Sequence, residues 1–107
     1  MLPLKFGKTD RALRVLCLGA HSDDIEIGCG GTLLRLIAEG WKLDVRWVVF
    51  CSNEPRGEEA RGSAKEFLGG VAQQSISIER FRDGFLPYSG AAVKEHFEEL
   101  KNEPSPD

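Results

Sequence analysis

Specialised chemistry is thinly provided for in this sequence. Its three cysteines, Cys17, Cys29 and Cys51, are an odd number without CxxC spacing, which argues against a disulfide framework and a cysteine-rich zinc site. Cys17 and Cys51 sit inside apolar, strand-like runs, where cysteine usually serves as a small buried hydrophobe. A reducing cytoplasm is the compartment expected. Basic residues never gather into a run of five, and the net charge is -3. That leaves no electrostatic footprint for nucleic acid or an anionic membrane. The start, Met1 to Lys8, lacks the apolar stretch of a signal peptide. Val45 to Cys51, the most apolar run elsewhere, is interrupted by Arg46 and far too short to span a bilayer. There is no internal repeat and no low-complexity segment. Gly7-Lys8-Thr9 occurs, but Leu2 stands where a Walker A loop needs its first glycine, which rules that loop out. A dinucleotide fingerprint counted from Gly28 would need glycine where Leu33 stands.

What remains is an ordinary globular composition, 41% hydrophobic and 29% charged over 107 residues, consistent with one domain or part of one. Leu13 to Gly19 is a short apolar run broken by glycine and predicts a buried strand. From Gly31 the period becomes helical, through Leu33, Leu34, Leu36 and Ile37. Thr32 is placed to help close the helix start and Gly40 to stop the helix. Leu43 to Phe50 is almost continuously apolar, as expected of a strand covered on both faces. Arg56 to Gly69 predicts a helix with Ala60, Ala64, Phe67 and Leu68 on one face. Gln74 to Ile78 alternates as a third strand, Asp83-Gly84 marks a loop, and Gly90 to Asn102 predicts a helix with Val93, Phe97 and Leu100 inward. The order β-α-β-α-β-α implies an α/β fold with a Rossmann-like parallel sheet and flanking helices. The tail from Glu103 to Asp107 resembles the lead-in to a fourth strand, so the expectation is a domain cut before that strand.

Ligands of open α/β sheets bind beyond the carboxyl ends of the strands. Ala20-His21-Ser22-Asp23-Asp24 falls at that point after the first strand. His21 and Asp24 are spaced so that a curled loop can aim both at one ion. Imidazole nitrogen and carboxylate oxygen suit zinc, with bonds of roughly 2.0–2.2 Å. Asp23 would then point elsewhere, as suits a carboxylate that takes a proton from an activated water. Each residue has a plain structural use too: a hydrogen-bonded histidine, or aspartates capping a helix. Gly28-Cys29-Gly30-Gly31 can serve close packing and a tight turn, with Cys29 a packing residue. His96 is expected as a partly exposed helix residue and not as a ligand.

Ala20-His21-Ser22-Asp23-Asp24 followed by Gly28-Cys29-Gly30-Gly31-Thr32 resembles the signature of the LmbE-like (PIG-L) N-acetylglucosaminyl deacetylases, typically A-H-P-D-D followed by G-x-G-G-T. Ser22 stands where that signature has proline. The resemblance implies His21 and Asp24 as zinc ligands and Asp23 as general base. Arg56-x-x-Glu59-Ala60-x-x-x-Ala64 is similar to the family's second helix, whose leading arginine lies near the substrate sugar. This implies Arg56 as a substrate contact, against the plain reading of a surface arginine paired with Glu58 or Glu59. Asp83-Gly84 occupies the place of a substrate-contacting loop, against the plain reading of a turn.

The family takes its third zinc ligand from a histidine in a downstream H-x-D-H-like segment. Only His21 and His96 occur here, and neither lies in such a segment. Residues 1–107 are therefore expected to be the N-terminal portion of a single deacetylase domain, weak in zinc binding and inactive alone. The function expected of the whole is zinc-dependent removal of an N-acetyl group from a small N-acetylglucosamine-type conjugate. Two alternatives stay open: a phosphoesterase using the acidic loop with another divalent metal such as magnesium or manganese, and a non-enzymatic fragment.

Overall fold

Three strands form where apolar side chains can be covered. In the computed structural model, which describes residues 11–53 and 55–107, they are β1 (Leu13–Gly19), β2 (Leu43–Cys51) and β3 (Gln73–Phe81). The expected absence of a leader at Met1 to Lys8 lies outside the described residues. The sheet has the order β1-β2-β3 and is parallel throughout. Leu13 pairs with Leu43 and Gly19 with Val49, while Asp44 pairs with Gln73. The helices are α1 (Gly31–Ala38), α2 (Arg56–Phe67) and α3 (Gly90–Leu100). This is the Rossmann-like parallel α/β architecture that the element order implies.

β2 is central and buried on both faces, which explains its unbroken apolar character. Leu43, Val45, Trp47 and Val49 share one face with Leu33 of α1, Ala64 of α2 and Leu68 just past it. Trp47 is fully buried there, and its ring lies 6.0 Å from that of Phe67. Val48 and Phe50 turn to the other face, where Phe97 of α3 stacks on Phe50 at 5.2 Å. Arg46, the interruption in this run, also has a structural use. Its guanidinium donates to the carbonyls of Leu100 and Pro104, satisfying backbone acceptors just past α3.

Gly40 ends α1 as expected. Its φ is +83°, its N–H donates to Ile37 O, and Trp41 N–H donates to Leu36 O. Those two bonds define a Schellman stop. Four expectations need correction. Thr32 does not close the start of α1, because a wide π-helical turn, Glu26–Gly30, runs directly into that helix. β3 extends to Phe81, beyond the alternating stretch, because Phe81 pairs with Cys51 across an irregularity after Val49. α3 ends at Leu100 rather than Asn102. Phe97 is 37% exposed, so it covers the sheet with one face only.

Candidate functional site

The loop that leaves β1 is anchored on both sides. Ala20 O accepts the N–H of Cys51, carrying the β1–β2 pairing one step into the loop. Ile25 is buried directly over Gly19, where a Cβ would lie 3.0 Å from Ile25 Cγ1. A glycine therefore ends the strand because the loop folds back on it. Between these anchors, His21 N–H donates to Asp24 Oδ2 at 2.8 Å. Asp23 has φ +74°, a left-handed conformation that aspartate tolerates better than most residues. Its carbonyl accepts the N–H of Ile27, which opens the π turn. That turn is tied to α2 by the Ser63 hydroxyl, which donates to Glu26 Oε2 at 2.7 Å.

His21 Nδ1 lies 3.6 Å from Asp24 Oδ2. This is shorter than two zinc bonds of about 2.0–2.2 Å laid end to end, so one ion can reach both atoms. The donor chemistry, one imidazole and one carboxylate, also suits zinc. Among the described residues, no set of three His, Cys, Asp or Glu side chains is arranged to hold one ion. The residues present thus fit a metal as a two-ligand half-site.

A cleft of about 580 Å³ opens at the carboxyl ends of the strands, lined among others by His21, Asp23, Arg56 and Asp83. Four of the five candidate residues therefore share one cavity, and Asp24, bonded to the backbone of His21, adjoins it. Arg56 reaches it from the first turn of α2, and Asp83 from the turn after β3. Asp83 Oδ1 is 2.9 Å from His21 Nε2, a contact that no local pattern foretold.

The cleft also contains residues that sequence reasoning passed over. Cys51 lies on its floor, where burial, with the Asp83 and Asp24 carboxylates adding, pushes the thiol pKa up. A thiol so held keeps its proton. Arg80 and Arg82 line the wall. Their spacing of two on a strand's end puts both on one side, a signal readable only once β3 is known to run past Ile78. Arg82 further stacks its guanidinium 3.8 Å from the centre of the Phe85 ring.

His96 is not among the residues that line this cleft. Its side chain is only 15% exposed and meets Phe50 edge-on at 5.4 Å. It is a packing residue between α3 and the sheet, more enclosed than expected.

The GlcNAc-PI de-N-acetylase (PIG-L) family model matches residues 16–107. Among solved structures, N,N′-diacetylchitobiose deacetylase from Pyrococcus horikoshii, in complex with its inhibitor MPG, is similar at 30% identity and TM-score 0.60. That match covers 85% of this chain and 38% of the deacetylase. A conserved protein from Thermus thermophilus is similar at 26% identity and TM-score 0.53, over 82% of this chain and 42% of that one. The chain thus spans about two fifths of the length of each.

Proposed function

Given that the chain belongs to the GlcNAc-PI de-N-acetylase (PIG-L) family, we propose that it carries the metal-and-base half of a zinc-dependent N-deacetylase. The substrate would be a small conjugate of N-acetylglucosamine type, in keeping with the diacetylchitobiose deacetylase it resembles. Residues 1–107 are read as the N-terminal portion of a single such domain. The observation that carries this reading is the shared cleft: His21, Asp23 and Arg56 face one cavity beyond β1, with Asp24 3.6 Å from His21 Nδ1.

His21 and Asp24 hold the ion. Bound there, zinc would polarise the acetyl carbonyl and acidify a water. Asp23 takes the proton from the attacking water as general base. Asp23 lines the cleft, where its carboxylate is open to a water. Arg56 donates to substrate oxygens from the start of α2. A catalytic zinc normally takes three protein ligands, and these residues offer two, so the third is assigned to residues outside the 107. Alone, the chain would bind zinc weakly and not turn over. The three cysteines are free, in keeping with a cytoplasmic setting, and no helix among the described residues is long and apolar enough to cross a membrane.

The test is acetate release from a panel of N-acetylglucosamine conjugates, run beside a phosphate-ester panel, on zinc-loaded protein extended to include the third ligand. Asp23→Asn should abolish turnover while zinc stays bound, and Asp24→Ala should lower both. Hydrolysis of phosphate esters alone would sink the deacetylase reading. Near-normal turnover in Asp23→Asn would sink the assigned base. Stoichiometric zinc and turnover from the 107 residues alone would refute the two-ligand assignment.

A further inference from the structure

We infer that Asp83 is a positioning residue for His21: its carboxylate decides which imidazole nitrogen carries hydrogen, and hence which nitrogen is presented to an ion. This rests on the proposed role of His21 as a ligand and gives Asp83 a task beyond touching substrate.

Asp83 Oδ1 and His21 Nε2 are 2.9 Å apart across 62 positions of sequence. A carboxylate oxygen can only accept, so Nε2 carries the hydrogen. Neutral imidazole has a single N–H, which leaves Nδ1 with its lone pair. That lone pair faces Asp24 Oδ2 at 3.6 Å, while Oδ2 already accepts the backbone N–H of His21. In the neutral ring, two electron-rich atoms thus lie 3.6 Å apart with no hydrogen between them. Such a pair is unfavourable by itself and becomes favourable when a cation sits between. The same hydrogen bond fixes the ring plane, because Nε2 is tied at one end and the backbone at the other. A carboxylate behind a ligating imidazole also raises the basicity of the ligand, and losing such a partner typically costs about 10–100-fold in metal affinity.

The fold supplies this contact through the length of one strand. β3 continues past its alternating stretch to Phe81, in register with Cys51, and so delivers Asp83 to the level of the β1 loop. Gly84, at φ +78°, then takes the chain away. The side chain of Asp83 is 69% exposed, so substitutions there leave the core untouched.

The experiment uses the 107-residue chain with ¹⁵N-histidine label at pH 8, with His21 signals assigned through His21→Gln. Long-range ¹H–¹⁵N spectra report the tautomer directly. Wild type should show hydrogen on Nε2. Asp83→Ala should lose that preference, and Asp83→Asn, whose amide oxygen still accepts, should keep it. Zinc titrated against the same signals should bind through Nδ1, about 10–100-fold more weakly in Asp83→Ala than in wild type. The inference is overturned if His21 carries hydrogen on Nδ1 or on both nitrogens, if Asp83→Ala leaves the tautomer unchanged, or if zinc enters through Nε2. If the tautomer responds to Asp83→Ala but wild type takes no zinc, the control of His21 by Asp83 stands and the zinc reading fails.

Discussion

Gly30, at the end of the π turn, faces the ring of Phe67 so closely that a Cβ there would lie 2.6 Å from Cε1. Phe67 cannot simply swing aside, because it packs on the buried Trp47. Gly30 is therefore a packing device: it lets the exit of the loop after β1 lie flat on α2.

Gly30→Ala should consequently destabilise the fold, since overpacking costs about 1–3 kcal/mol and helix propensity returns only about 1 kcal/mol. Gly31 has helical dihedrals and no neighbour within 4 Å of a built Cβ. Gly31→Ala should therefore gain up to about 1 kcal/mol. Urea unfolding of the two variants checks the contrast, and equal effects would refute the contact.

Asp23 at φ +74° stores backbone strain that a glycine would not. The stability order expected at this position is Gly above Asp above Ala, spread over about 1–2 kcal/mol. Thermal melts of Asp23→Gly and Asp23→Ala measure it. The strain is absent if alanine matches glycine.

Burial pushes the Cys17 thiol up to about 12, with neighbouring Cys29 adding, and Cys51 is raised chiefly by burial too. Cys29 is only partly buried. At pH 8 iodoacetamide should modify Cys29 first in the native protein, and the other two only after unfolding. The raised Cys17 value also sets a sign. Between its ordinary 9.0 and about 12, the unfolded chain loses a proton that the native chain retains. Stability should therefore be unaffected by this group below that window and fall as pH rises through it.

At the acid end, Lys94 and Lys101 hold Glu98 down to about 2 from an ordinary 4.5, through contacts of 2.6 and 2.9 Å. This depressed carboxyl contributes above 4.5, and its contribution is lost as pH falls towards 2. The group is exposed, so salt should screen the effect. Glu98→Gln should flatten the acid limb of the helical circular dichroism signal, and high salt should mimic it. An acid limb indifferent to both would remove Glu98 from the account.

Much of this molecule is local and was therefore legible. β1 and β2 announce themselves because an apolar run between breakers has one good solution, a strand covered by helices. Gly40 is legible because α1 must end where its apolar face ends, and only glycine takes that turn without penalty. His21, Asp23 and Asp24 could be singled out because four consecutive positions at a strand's carboxyl end form one loop whatever the rest does. Their division of labour remains a reading of chemistry and resemblance.

Other features depend on partners distant in the chain. The π turn at Glu26–Gly30 exists beside Phe67, nearly forty positions away, and no periodicity within the turn encodes that surface. The last residues of β3 are strand because Cys51 offers Phe81 a pairing partner, although Glu79 and Arg80 break the hydrophobic alternation. That extension brings Arg80 and Arg82 to the cleft and Asp83 to His21. Sequence by itself determined the parallel α/β order, the loop that ends β1 and the types of ligand it can offer, since those follow from short-range pattern and side-chain chemistry. Tertiary structure alone decided which side chains meet across the cleft. Contacts between segments 62 residues apart are set by sheet register and helix packing, and neither is written at the positions that touch.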